Sequence, residues 1–257
     1  MHQILPKEAG VVDLQLDAMK KLDIRKALLQ SVPSSLRSIC NNADLREIGQ
    51  QHAGKFMISQ FMDPRHPFAR RKIRKYAGNG AKVVKLLPCL GYYADDRRFD
   101  PFWRQMEKNG QVAMVHTGFI TARHKEEEKK NNTFLSSKYG HPFYFDKICR
   151  KFPGLTVILC HMGGTTWYEE ACQMVSQHEH VWGDFSGFGG MALRRILQLN
   201  VHVDWNKVFW GNDAHPKFYH TNLNIQASVL WAEKKEPLGE RLLFSNARTF
   251  IGKYMEK

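Results

Sequence analysis

Three stretches of this chain run apolar and then stop on a side chain that can do chemistry. "VAMVHTG" ends on His116, "VILCHMGG" on His161 and "VFWGNDAH" on Asp213. Imidazole nitrogens and a carboxylate are the ligand types that suit zinc or a similar divalent cation. A lone histidine at a strand end is as well explained by a bond to a backbone carbonyl. Three such residues closing separate strands call for another explanation, provided that one fold gathers those ends. A parallel barrel does so, because all its strands finish on the same face. Other polar groups stand nearby in sequence. Lys85 in "VVKLLP" is a candidate substrate contact, Asp184 in "GDFSG" either orients a site partner or closes a turn, and Asn212 and His215 flank Asp213.

The elements needed to position these residues are legible as an alternation. Strand-like runs cover 24–32, 55–64, 81–88, 111–118, 155–164, 180–187 and 206–213. Between them lie helical patterns: 42–53 opened by an Asn cap, "PFARRKIRKYAGNG" closed by glycines, 100–110 with Gly110 as its C-cap, "HPFYFDKICRKFPG" and "TTWYEEACQMVSQH". Unbroken strand–helix alternation predicts a parallel sheet. Upstream of the first run, Val12, Leu16, Met19 and Leu22 space a helix over 11–23. An eight-stranded barrel needs one more strand before that helix, and only about ten residues precede it. The charged run "RHKEEEKKNN" at 123–132 follows a strand and reads as a solvated loop, which in a barrel would lie over the mouth.

Composition narrows the class. The chain has 257 residues, 43% of them hydrophobic, enough for one large domain over 1–257 with a sizeable core. No apolar run approaches the length of a membrane span, and "MHQILPKEAG" lacks the features of a secretory signal. Five cysteines without a CxxC pair argue against a disulfide framework or a cysteine zinc site and fit a reducing cytoplasm. The formal charge of +13 is densest at Arg70, Arg71, Lys72, Arg74 and Lys75, where it reads as a solvated helix face. No nucleic-acid motif accompanies it, so nucleic acid is not the expected partner and the charge hints at anionic partners or substrates.

Taken in order, "HTG", "KFPGLTVILCHMGG" followed by a tryptophan, "DFSG", "VFWGNDAH" and the closing "LLFSNARTFIG" resemble the amidohydrolase superfamily. The match is to its branch of metal-dependent hydrolases and decarboxylases related to aminocarboxymuconate-semialdehyde decarboxylase, and runs from about Val11 to the C-terminus. The resemblance implies a (β/α)8 TIM barrel holding a divalent metal ion, zinc first and manganese or iron as alternatives. It implies that His116 is a metal ligand, that His161 is a second-sphere or substrate-polarising histidine and that Asp213 contacts metal and shuttles a proton. It also implies a metal-activated water cleaving a C–N or C–O bond of a small molecule. A non-oxidative decarboxylase of a small carboxylic acid is the alternative on the same scaffold, and a metal-free, catalytically impaired relative is a third reading.

One departure stands out. The H-x-H pair that ends the family's first strand is missing, and His2 is the one residue placed to stand for its second histidine. The expectation is therefore a barrel lacking all or part of its first strand, with His2 as a third metal ligand. The start would lie inside an original H-M-H, and exposed edges beside the gap would favour self-association into a homo-oligomer.

Overall fold

The computed structural model describes residues 2–35, 39–120, 129, 135–187 and 189–255, with His2 and Gly189 described by their backbone alone. Eight parallel strands run in chain order, each paired with the next: β1 (His2–Gln3), β2 (Ala27–Leu29), β3 (Phe56–Phe61), β4 (Val83–Leu86), β5 (Val112–His116), β6 (Val157–Cys160), β7 (Val181–Asp184) and β8 (Val208–Phe209). The helices are α1 (Val11–Lys21), α2 (Asn42–Gln51), α3 (Ala69–Gly78), α4 (Asp100–Lys108), α5 (Asp146–Lys151), α6 (Tyr168–Gln177), α7 (Gly189–Gln198), α8 (Tyr219–Ala232), α9 (Pro237–Glu240) and α10 (Asn246–Tyr254). The parallel sheet is the one that the alternation predicts, and its eight strands are those of the (β/α)8 barrel that the resemblance implies.

Strand alternation sorts the side chains into two cores. Leu28, Val83, Val112, Met114, Ile158, Trp182 and Phe209 form the interior, into which α10 packs Phe250. Val84, Leu86, Ala113, Val115, Val157 and Leu159 point the other way, onto Phe102, Trp103 and Met106 of α4 and the helices that follow. Both faces of these strands are buried, so they read as continuous apolar runs rather than alternating ones. The Asn cap expected before α2 is a full capping box. The Asn41 side chain accepts from Ala43 N at 2.8 Å, and Asp44 accepts from Asn41 N at 2.8 Å.

The first strand is present in part. His2 and Gln3 pair with Leu28 and Leu29, so β2 has a neighbour on that side and the expected open edge there is not found. Among the described residues no ladder joins β1 to β8; side chains span that seam instead. The Gln3 amide donates to Ala214 O at 2.5 Å and accepts from Asn212 Nδ2 at 2.7 Å. No helix among the described residues is long and apolar enough to cross a membrane. All five cysteines are free and buried. The charged run at 123–132 lies outside the described residues apart from Lys129.

Candidate active site

His161 leaves β6 in a left-handed backbone conformation, φ 67°, and Met162 follows at φ 46°. Non-glycine residues adopt this region at a cost, and they hold it where the surroundings over-determine it. Here the surroundings are a bonded cage. Asp184, at the end of β7, accepts from His161 N at 3.2 Å and from Ser186 N at 2.9 Å. Thr117 donates its hydroxyl to Cys160 O at 2.6 Å and accepts from Gly163 N at 3.0 Å. The glycines of "HTG" and "HMGG" let the two turns meet backbone to backbone, since a Cβ on Gly118 would lie 3.0 Å from Gly163 C. Asp184 therefore does both of the jobs considered for it, closing the turn and fixing the histidine.

The imidazole is held at both nitrogens. Ser186 Oγ lies 2.8 Å from Nδ1 and Ser186 O 3.3 Å from it, while Nε2 is 3.5 Å from Asp213 Oδ2. A proton on Nε2 serves the carboxylate, and one on Nδ1 serves the Ser186 carbonyl. Either ring nitrogen can thus hold a proton against a partner. The His116 ring sits edge-on to it with centroids 5.0 Å apart. Asp213, itself at φ 47°, accepts from Gln30 Nε2 at 2.8 Å through its other oxygen. Gly187 leaves room for the pair: a Cβ there would stand 3.4 Å from His161 Nδ1 and 3.8 Å from Asp213 Oδ2.

Below this pair lies Lys85, fully buried, donating to Cys160 Sγ at 3.1 Å. Burial pushes the Cys160 thiol far up; the Lys85 charge opposes that shift, and the charges of Asp184 and Asp213 add to it. The cation and the two carboxylates thus act on one buried sulfur inside the barrel. Lys85 lies in the interior below the mouth, on the same face as Cys160, and not on the rim. His215 turns away from the site to Glu8, with 2.5 Å between Nε2 and Oε1. Trp167 stacks on Phe119 at 5.1 Å, and Tyr168 is buried at the head of α6.

The donor set can be tested against the metal that the resemblance implies. His116 and Asp213 come to the same neighbourhood, where Asp213 also meets Gln30 and His161. Among the described residues no three His, Cys, Asp or Glu side chains converge to hold a metal ion. The His2 side chain lies outside the described residues. The described donors therefore do not make up a metal site, which needs three protein ligands or more. Sequence reading missed Gln30, Ser186 and Gln3. Their signal was faint: Gln30 directly follows β2, Ser186 lies just beyond β7, and Gln3 belongs to a strand of two residues.

A parallel barrel with acid–base residues at the C-terminal ends of its strands defines the class, and comparison with known proteins defines the family. The amidohydrolase family model matches residues 19–252, so the chain belongs to the amidohydrolase family. An uncharacterized TIM-barrel protein from Bordetella bronchiseptica superimposes with a TM-score of 0.70 at 18% identity, covering 95% of this chain and 83% of that one. A 5-carboxyvanillate decarboxylase from Novosphingobium aromaticivorans, complexed with manganese, gives 0.64 at 15% identity over 93% and 79%. A probable 2-pyrone-4,6-dicarboxylic acid hydrolase from Acinetobacter baumannii gives 0.63 at 14% over 95% and 90%. No curated protein matches the chain.

Proposed function

We propose that this chain is an enzyme hydrolysing a C–N or C–O bond of a small anionic molecule, with Asp213 and His161 as its proton-transfer pair. The carrying observation is the 3.5 Å approach of His161 Nε2 to Asp213 Oδ2, held at the end of β6 and after β8 by two left-handed backbone positions. Asp213 takes a proton from the attacking water. His161, steadied at Nδ1 by Ser186, presents a proton to the oxygen on which negative charge develops. The buried charge of Lys85 favours an anionic substrate over a neutral one.

Family resemblance brings a divalent cation into this reading, and the similar 5-carboxyvanillate decarboxylase is complexed with manganese. The proton transfers proposed here are assigned to His161 and Asp213. Non-oxidative decarboxylation is the second reading, favoured by Lys85, whose cation would draw a substrate carboxylate toward the pair. Product analysis tests both. The protein is offered lactones, amides and unsaturated or aromatic carboxylic acids, with carbon dioxide release followed alongside hydrolysis. Hydrolytic turnover that disappears in His161→Asn and Asp213→Asn supports the first reading, and carbon dioxide release lost in the same variants supports the second. Turnover that survives both substitutions would overturn the assignment of the pair.

A further inference from the structure

The outer ring of helices carries one face that the reaction proposed above does not use. α8 runs from Tyr219 to Ala232 without an Asp, Glu, Lys or Arg, in a chain with 25% charged residues. Its last turn holds Trp231, 74% exposed, and ahead of α10 Leu243 and Phe244 are 48% and 46% exposed. Beside them opens a pocket of about 160 Å³, lined by Leu223 and Ala227 of α8, Gly239 of α9, and Leu242 and Leu243 beyond it. A helix of this ring needs one apolar face, toward the strands. On α8 the buried side chains of Tyr219, Gln226 and Leu230 supply it. Packing within the barrel therefore does not account for Trp231 and Leu243, and an apolar patch of this kind marks a surface of contact.

Two features identify what covers it. The first is that a projecting ring and a recess share one surface. An apolar cavity of about 150 Å³ takes up one aromatic ring, and Trp231 stands one helical turn from Ala227, at the edge of the pocket. A face with both parts is complementary to itself, which is the condition for a two-fold interface. The second is charge. Two copies at +13 repel each other, and the repulsion is least where neither presents charge. α8 is such a face, and beyond its end the exposed Lys234, Lys235, Glu236 and Glu240 form a rim of both signs.

We propose that α8 docks antiparallel against α8 of a second copy of this chain, about a two-fold axis near Ala227, each Trp231 entering the other's pocket. Positions 223 and 231 lie equally far from 227, so Trp231 meets the partner's Leu223 at the mouth of that pocket. The partner's Glu236, on the same rim, accepts the indole N–H. The inference does not rest on the reaction proposed above. It moves the expected self-association from the edge of β2, which β1 covers, to a helix face.

Sedimentation velocity of the full chain over a range of concentrations tests it. A dimer of twice the 29.8 kDa chain is expected. Trp231→Ala should weaken it by about tenfold or more. Ala227→Arg, which sets like charges together at the axis, should weaken it likewise, and mixing that variant with Ala227→Glu should restore a dimer. Should these variants fail to fold, Ala227→Cys gives the same information. All five native cysteines are buried, so mild oxidation should link Ala227→Cys into a disulfide dimer and leave Arg70→Cys, on α3, monomeric. A monomer at every concentration would overturn the proposal, as would equal linking at both positions. So would a dimer indifferent to Trp231→Ala and Ala227→Arg. Trp231-dependent binding to phosphatidylserine vesicles without self-association would make the face a membrane contact and overturn it too.

Discussion

At the scale of single residues, the site is a histidine that the backbone holds in an unfavourable place for a purpose. His161→Asn keeps a polar side chain and removes the imidazole, and turnover is expected to fall by about 10²- to 10⁴-fold, measured as kcat in steady state. Ser186→Ala has a different signature. Ser186 touches Nδ1 and not the reacting atoms, so its loss should displace the pH–rate profile as well as lower kcat, with Ser186→Thr restoring the profile. An unmoved profile would make Ser186 merely structural. His116 and His161 were legible in sequence because each closes an apolar run where a strand ends, and Asp213 because it follows shortly after β8. Ser186 and Gln30 were not, because a serine in a turn or a glutamine after three apolar residues looks like ordinary solvation until β2, β7 and β8 are brought together. The metal-ligand roles of His116 and Asp213 came from resemblance alone, and the hydrogen bonds that occupy Asp213 cannot be read from composition or spacing.

At the scale of elements, the chain's strand–helix rhythm predicted a parallel sheet, since a run such as "VILC" buried on both faces has few other uses, and the barrel was implied by the family resemblance. The first strand escaped because two residues carry no periodicity. Its pairing with β2 is made by the backbone, while the Gln3 side chain reaches across the other seam to Asn212 and Ala214. That side chain makes Asn212 the keystone of the β1–β8 seam. Asn212 donates to Gln3 Oε1 and Ala214 O and accepts from Asn222 Nδ2 at 2.7 Å, and it is fully buried. Replacing it with Ala leaves the Gln3 acceptor and the Asn222 donor without this partner. A loss of about 1–3 kcal/mol in unfolding free energy follows, measurable by urea denaturation. Asp213 should lose its register beside His161 in the same variant, so activity should fall by more than the change in folded fraction. A loss of activity that merely tracks folded fraction would separate the seam from the site.

At the scale of the whole molecule, two basic side chains link burial to stability. His180 is one: burial, helped by His178 and Lys207, holds its imidazole below the ordinary value, and its Nε2 has no hydrogen-bond partner among the described residues. The unfolded chain therefore takes up a proton that the fold refuses. The contribution is complete above about pH 6.5 and declines as pH falls through the interval down to the depressed native value. Urea midpoints at pH 8 and pH 5.5 should differ less in His180→Gln than in the wild-type chain. Lys85 is the other. Its one described hydrogen bond is to a thiol, a weak acceptor for a fully buried ammonium. Asp184 and Asp213 meet their hydrogen bonds elsewhere, at His161 N and Ser186 N and at Gln30 and His161. Two effects then compete in Lys85→Met. The desolvation of a cation is relieved, and a through-space attraction to two carboxylates is lost. Because those carboxylates are already bonded, relief should win, and the variant should be more stable by about 1 kcal/mol or more while its turnover of anionic substrates falls. A lowered denaturation midpoint would show instead that the field of Lys85 on Asp184 and Asp213 outweighs the cost of its burial. The cation would then belong to the fold's electrostatics before it belongs to the site.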